Sequence, residues 1–336
     1  MGYFEYVTNK RNDNQQLISL MEKIALSLNK ESETGEAVSL VGLIQSGKTR
    51  TFIGTMAKCF DLNFDAVILF TKVSKALVQQ TINRLYDEFQ KPIDNSYLFV
   101  WNAIKLDKET LDDYTVTSKK NIFVTKKEKA NLNKLHELID GKLRGKKILI
   151  VDDEADANSA TYVDTDELAV ISTSLSDLRN KAKGKCAYLQ VTATPYSLYL
   201  QPPSEKFNRL GYSPLNPKQT FLLEPHSSYI GGKYYFEDSE DENSPAYYLY
   251  HEITQKEMDY LNKKSKTTQT YNKKLLSNVL TSDYIPGLRD AIYLFLVGGA
   301  IRYISEQNTH IHEPFAKEYK CAFLMHTSQT KTIHKM

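Results

Sequence analysis

The densest chemistry in the chain lies in GLIQSGKT, Gly42 to Thr49. Two glycines bracket the loop, a lysine and a hydroxyl residue follow, and the stretch sits between an apolar run and a helical pattern. Gly42 and Gly47 let the loop wrap so that successive backbone N–H groups converge on phosphate oxygens. The helix opening near Lys48 points its positive dipole end at the same anion. Lys48 supplies a mobile charge for the β- and γ-phosphates, and Thr49 supplies a hydroxyl to magnesium. Gln45 and Ser46 inside the loop, and Arg50 just beyond it, are assigned to the same nucleotide site. The cofactors expected are ATP and Mg2+.

A second cluster, ILIVDDEAD, runs from Ile148 to Asp156. Here an apolar strand delivers carboxylates at its C-terminal end, the edge where such sheets bind ligands. Asp153 and Glu154 are the natural pair: one carboxylate holds magnesium, directly or through water, and the other orients and deprotonates the attacking water. Asp152 leaves the register open by one residue. A third signal, TATP at Thr192 to Pro195, again ends an apolar strand. Its small hydroxyls can hydrogen-bond to the magnesium-bound acids and sense the γ-phosphate.

The elements that must carry these groups are read from periodicity. Leu17 to Leu28 repeats apolar residues at helical spacing, and the polar linker NKESETGEA follows. Apolar runs at Val38–Leu43, Ala66–Phe70, Tyr97–Trp101, Ile122–Val124, Lys147–Val151 and Ala187–Val191 predict strands. Helical patterns lie through Phe60, from about Ser74 to Phe89, and over Glu128–Ile139. Continuous apolar strands separated by helices predict an α/β domain, with a mostly parallel sheet covered by helices on both faces. The pattern breaks after about residue 200, where Pro202, Pro203, Pro214 and Pro217 punctuate the chain and a tyrosine-rich, acidic stretch follows. That divides the chain into an ATPase domain over 1–202, an irregular insertion or small subdomain over 203–283, and a linking helix with a further strand over 284–336. Pro286 starts a long apolar helix through Ile304, read as buried, and Ala322–Met325 is the last strand expected.

Composition excludes several classes. With 43 Lys and Arg against 41 Asp and Glu, the net charge of +2 does not announce a nucleic-acid binder, although a local groove can still be basic. Cys59, Cys186 and Cys321 are far apart, which argues against a disulfide framework or zinc site and for a reducing cytosol. The N-terminus lacks a signal-peptide core, and no apolar stretch is long enough to span a bilayer, so a cytoplasmic location and no membrane partner are expected. The pair His310 and His312 has no third ligand nearby and reads as a surface loop rather than a metal site. Glu318-Tyr319-Lys320 has no upstream Asp to make a nuclease centre.

In this order and spacing, the phosphate loop, DEAD and TATP resemble superfamily 2 helicases over about residues 38–200, which implies a RecA-like P-loop domain. More narrowly, VGLIQSGKT, LVQQTINRL, LIVDDEAD and FLMHTS resemble bacterial helicase-like ATPases that carry the Z-one domain, which is assigned as an endonuclease domain of restriction and phage-defence loci. The resemblance implies that Asp153 coordinates magnesium, Glu154 is the catalytic base, and Thr192 and Thr194 couple hydrolysis to domain motion. FTKVSKALVQQT resembles a DNA-contacting motif and nominates Thr71, Lys72 and Gln79; VTKKEKANL resembles a later strand-binding motif and nominates Thr125 and Lys126. Against this, Lys126, Lys127 and Lys129 can equally be the solvated start of a helix. Gln16 either reads adenine or lies on the polar face of the first helix.

A motor of this kind closes two RecA-like domains around ATP, and the second brings an arginine finger. Here the chain stops within what resembles the first strand of that second domain, Lys320 to Thr327. The expectation is therefore a piece of a longer protein that binds ATP–magnesium, hydrolyses it poorly alone and does not unwind DNA. Its partners would be DNA, the rest of its own chain and defence-system subunits. The rival is a nucleotide-dependent switch that binds a protein and never translocates, or a part of an endonuclease.

Overall fold

The computed structural model describes residues 2–71, 74–106, 113–156, 174–175, 177–180, 185–200, 215–249, 253–261 and 283–309. They fall into two units, residues 1–229 and 230–336.

The first unit is built on seven parallel strands: β1 (Ala37–Gly42), β2 (Ala66–Thr71), β3 (Leu98–Asn102), β4 (Lys120–Lys126), β5 (Ile148–Asp153), β6 (Cys186–Thr192) and β7 (Pro217–Leu223). Their order across the sheet is β3-β4-β2-β5-β6-β1-β7, every pairing parallel. Parallel strands need crossovers, and the chain supplies helices for them. These are α3 (Lys48–Asp61) between β1 and β2, α4 (Lys75–Glu88) and α5 (Gln90–Asp94) between β2 and β3, α6 (Asp113–Ser118) between β3 and β4, and α7 (Lys129–Asp140) between β4 and β5. Two helices precede the sheet, α1 (Tyr3–Arg11) and α2 (Gln15–Glu31).

Successive side chains on a strand point to opposite faces, and the core divides accordingly. Val38, Leu40, Val67, Leu69, Leu149, Val151 and Leu189 pack on one face with α2, α3 and α4. Ala66, Ile68, Phe70, Phe123, Ile148, Ile150 and Tyr188 pack on the other with α7. Both faces are covered, so the strands read as unbroken apolar runs rather than alternations.

Three elements differ from the sequence reading. The nine-residue helix α1 was not anticipated; its first N–H groups are capped from afar, Tyr3 N and Phe4 N donating to the Asp61 carboxylate at 2.9 and 3.0 Å. Strand β7 lies inside the segment 203–283 set apart as an insertion, yet it pairs along β1 from Ala37 to Gly42. As an edge strand it is mostly exposed and tolerates Pro217 at its start, so it lacks the apolar run that marks its neighbours. In the second unit the helix Pro286–Thr309 was expected to be buried, but Leu294, Leu296, Val297, Ile301 and Ile304 are each at least half exposed. Its apolar residues are spread around the whole circumference, so no single packed layer could cover them all. The expected strand at 322–325, the truncated second-domain start, His310, His312, Glu318–Lys320 and Cys321 lie outside the described residues. No described helix is long and apolar enough to cross a membrane.

Candidate nucleotide site

β5, β6 and β1 are neighbours, so the three chemical motifs that end them meet at one edge of the sheet. The register aligns Asp153 with Val191 and Val191 with Leu40. The residues just beyond these positions therefore stand at one height and enclose a cleft of about 840 Å³. Gln45, Gly47, Lys48, Thr49, Arg50, Asp153, Glu154, Asp156 and Thr194 all line it.

The loop conformation needs its glycines. Gly47 has φ +101° at the N-terminal cap of α3, a region where a side chain is strained. A Cβ on Gly42 would stand 2.8 Å from Ser46 Oγ and 3.1 Å from Leu223 Cβ. Lys48 Nζ donates to the carbonyls of Gly42 at 2.9 Å and Leu43 at 2.7 Å, folding the ammonium back over its own loop. Burial pushes the Lys48 ammonium below its ordinary pKa, and the charges of Asp153 and Asp156 act against that. Tyr229, just after β7, donates its hydroxyl to Ile44 O at 2.6 Å and braces the loop from outside.

The period of the strand sends the two candidate acids to opposite faces. Ile148, Ile150 and Asp152 share the face toward α7; Leu149, Val151 and Asp153 share the face toward α3. Asp152 is fully buried, 2.7 Å from Lys127 Nζ, and accepts from the Tyr188 hydroxyl at 2.8 Å. It is absent from the cleft that Asp153 and Glu154 line. Glu154 carries a positive φ of 62°, an uncommon conformation for a non-glycine residue that persists only where the surroundings impose it.

Thr192 and Thr194 were expected to bond to the magnesium-holding acids. In the structure both hydroxyls donate to Asp156, Thr192 Oγ1 at 2.7 Å and Thr194 Oγ1 at 2.5 Å. Asp156 is thus a site residue to which the sequence reading gave no role, although it closes the DEAD tetrapeptide. Arg50 lines the cleft, but its guanidinium is engaged by Asp13, Glu88 and the Val7 carbonyl. Gln16 borders a second cavity of about 660 Å³ with Ser46, Gly47, Arg50 and His226, and donates to Glu224 at 2.6 Å.

The residues nominated for nucleic acid are more scattered. Thr71 and Thr125 end adjacent strands, and both side chains are buried. Lys126 pairs with Glu128. Gln79 is exposed on α4, bonded to Asn83. Lys72 lies outside the described residues. Lys127 is not part of a solvated helix start: only 2% of it is exposed.

The residues fit a magnesium nucleotide. Ser46 Oγ is buried without a hydrogen-bond partner among the described residues, inside the loop between β1 and α3. No three His, Cys, Asp or Glu side chains among the described residues form a closed metal cage. Magnesium takes one or two carboxylates and completes its shell with phosphate and water, and Asp153 and Glu154 line the cleft with Thr49.

A phosphate loop after β1, acids after β5 and hydroxyls after β6 define the class: a P-loop ATPase domain of RecA-like, superfamily 2 type. The chain belongs to the ResIII family, described as "Type III restriction enzyme, res subunit", whose profile matches residues 11–197, more than half of the chain. Among solved structures it is similar to "Crystal Structure of DUF1998 helicase MrfA bound to DNA", with a TM-score of 0.37 and 17% identity over 62% of this chain. The likeness covers 29% of that chain, so this chain spans under a third of that protein's length. No curated protein matches.

Proposed function

We propose that this chain is the ATP-binding first motor domain of a longer, helicase-like, DNA-translocating ATPase of a restriction or phage-defence system. The observation that carries the reading is the single cleft lined by Lys48, Thr49, Asp153, Glu154, Asp156 and Thr194. In it the amides of Gln45, Gly47 and Lys48 would hold the phosphates, the Lys48 ammonium would exchange its loop carbonyls for phosphate oxygens, and Thr49 and Asp153 would hold magnesium. Bound Mg-ATP supplies the phosphoanhydride bond whose hydrolysis powers the motor. Glu154 orients a water and takes its proton on a carboxylate oxygen. Asp156, held by Thr192 and Thr194, ties the acid loop to the end of β6, so a change at the cleft is felt along that strand. DNA would be contacted through the segments nominated from the sequence, which carry Thr71, Lys72, Gln79, Thr125 and Lys126.

The domains are read as an ATPase body with β7 as its edge strand, followed by an irregular segment and the helix that leads to a second RecA-like domain. A second RecA-like domain would supply the arginine finger that makes hydrolysis fast. Other defence-system subunits would dock on the longer protein. The test is affinity for a single-stranded DNA oligonucleotide as a function of salt. Each phosphate neutralised contributes a slope of roughly −0.7 in log K against log salt, and several contacts are expected. Affinity that is negligible at every salt concentration would favour the protein-binding switch instead.

A further inference from the structure

We infer that Lys127 is a positioning residue that holds the main chain of Glu154 and so aims its carboxylate into the cleft. The inference deepens the nucleotide-site reading and rests on it.

Lysine is rarely buried unless paired, and Lys127 is among the largest fully buried side chains. Its ammonium does two things. It lies 2.7 Å from Asp152 Oδ1, and it donates to the Glu154 carbonyl at 3.0 Å. The peptide that follows Glu154 is held at its other end too, because Ala155 N donates to Val191 O at 3.0 Å. One peptide plane is therefore pinned between the end of β4 and the end of β6. That plane limits the direction in which Glu154 leaves the chain, and Glu154 has a positive φ of 62°, a conformation that persists where the surroundings hold the backbone. Asp152 and Tyr188 in turn fix the ammonium: the Tyr188 hydroxyl holds one Asp152 oxygen at 2.8 Å and Lys127 takes the other. The clamp starts one residue after Lys126 and two after Thr125, the pair nominated for the nucleic-acid strand. A shift at the end of β4 would thus reach the acid loop through one side chain.

The test separates the carbonyl contact from the charge pair. Replacing both partners, Lys127→Met with Asp152→Asn, removes the clamp without stranding a buried charge. Asp152→Asn alone leaves the ammonium on the Glu154 carbonyl. We expect the double variant to keep a wild-type melting temperature and Mg-ATP affinity. Its Ala155 amide should exchange hydrogen about tenfold faster or more, and single-turnover hydrolysis should fall roughly 10- to 100-fold, the range a displaced catalytic group produces. Asp152→Asn strands the buried ammonium and should lower the melting temperature, while the folded chain keeps Ala155 exchange and hydrolysis near wild type. A Lys127→Gln/Asp152→Asn chain, whose amide is too short to reach the carbonyl, serves where the methionine pair does not fold. Wild-type exchange at Ala155 in either folded double variant, or an equal loss in Asp152→Asn, overturns the inference. Lys48→Ala measured alongside tells the two readings apart. If ATP still binds to Lys48→Ala, the nucleotide reading fails, while Ala155 exchange still decides the clamp.

Discussion

Arg50→Met should cost stability and spare the nucleotide site, even though Arg50 lines the cleft. Its Nε lies 3.0 and 3.1 Å from the two Asp13 oxygens, Nη1 lies 2.9 Å from Glu88 Oε2, and Nη2 donates to Val7 O at 2.9 Å. The side chains of Arg50, Asp13 and Glu88 are 18%, 6% and 6% exposed. Methionine keeps the apolar stem and deletes every donor. Glu88 retains Arg11, whose Nη2 stays 2.8 Å away, so the uncompensated charge is mainly that of Asp13. Breaking a buried pair by removing one partner costs about 3–5 kcal/mol, and Arg50's partial exposure puts the expected loss near the lower end. With a urea slope of about 1–3 kcal/mol per molar, the midpoint falls by about 1 M or more. The single tryptophan, Trp101, lies on β3 of the same unit and reports the transition by fluorescence. Mg-ATP affinity should stay within about threefold, under 1 kcal/mol. An unchanged midpoint with affinity down more than about tenfold would refute the reasoning and return Arg50 to the nucleotide.

Lys218 on β7 donates to Glu31 on α2 at 2.9 Å, and this hydrogen bond lowers the Glu31 pKa. A depressed carboxylate stabilises above its unfolded value and loses that contribution as pH falls through its folded value. The stability difference between wild type and Glu31→Gln should therefore be present at neutral pH and vanish in acid; a difference that persists at pH 2 in paired melts would contradict this. The Lys218 pKa is raised by the same bond, so the contribution also fades above the ordinary lysine range. Burial raises the pKa of Cys59, and it pushes that of Cys186 up to about 12; neither should react with a thiol reagent at pH 8 until the chain unfolds, as mass spectrometry of labelled peptides would register. Gly42→Ala places a Cβ 2.8 Å from Ser46 Oγ and 3.1 Å from Lys48 Cγ and Leu223 Cβ, so the side chains packed on the loop, Lys48 among them, must give way and ATP affinity should fall about tenfold or more in calorimetry, with wild-type affinity counting against the packing argument.

The motifs were legible because phosphate chemistry restricts residue types over a few consecutive positions. The sheet was legible because strands covered on both faces must be apolar throughout. Asp153 and Asp152 could not be told apart in a string of letters, yet one step along a strand sends one toward α3 and the other into the core. What the sequence hid depends on distant partners. Helix α1 takes its cap from Asp61, 58 positions from Tyr3. Lys127 looks like a surface lysine until Asp152 and the Glu154 carbonyl are beside it. Arg50 looks like part of the phosphate loop until Asp13 and Glu88 claim it. Strand β7 is exposed along most of its length, so no apolar run announced it.

The central claim is that Lys48 and the acids of β5 share one magnesium-nucleotide site. Its most direct test is calorimetric titration of wild type, Lys48→Ala and Asp153→Asn with ATP, each with and without magnesium. Lys48→Ala should abolish binding in both conditions, and Asp153→Asn should erase the gain in affinity that magnesium brings to wild type. Wild-type affinity in Lys48→Ala, or an undiminished magnesium effect in Asp153→Asn, would contradict it.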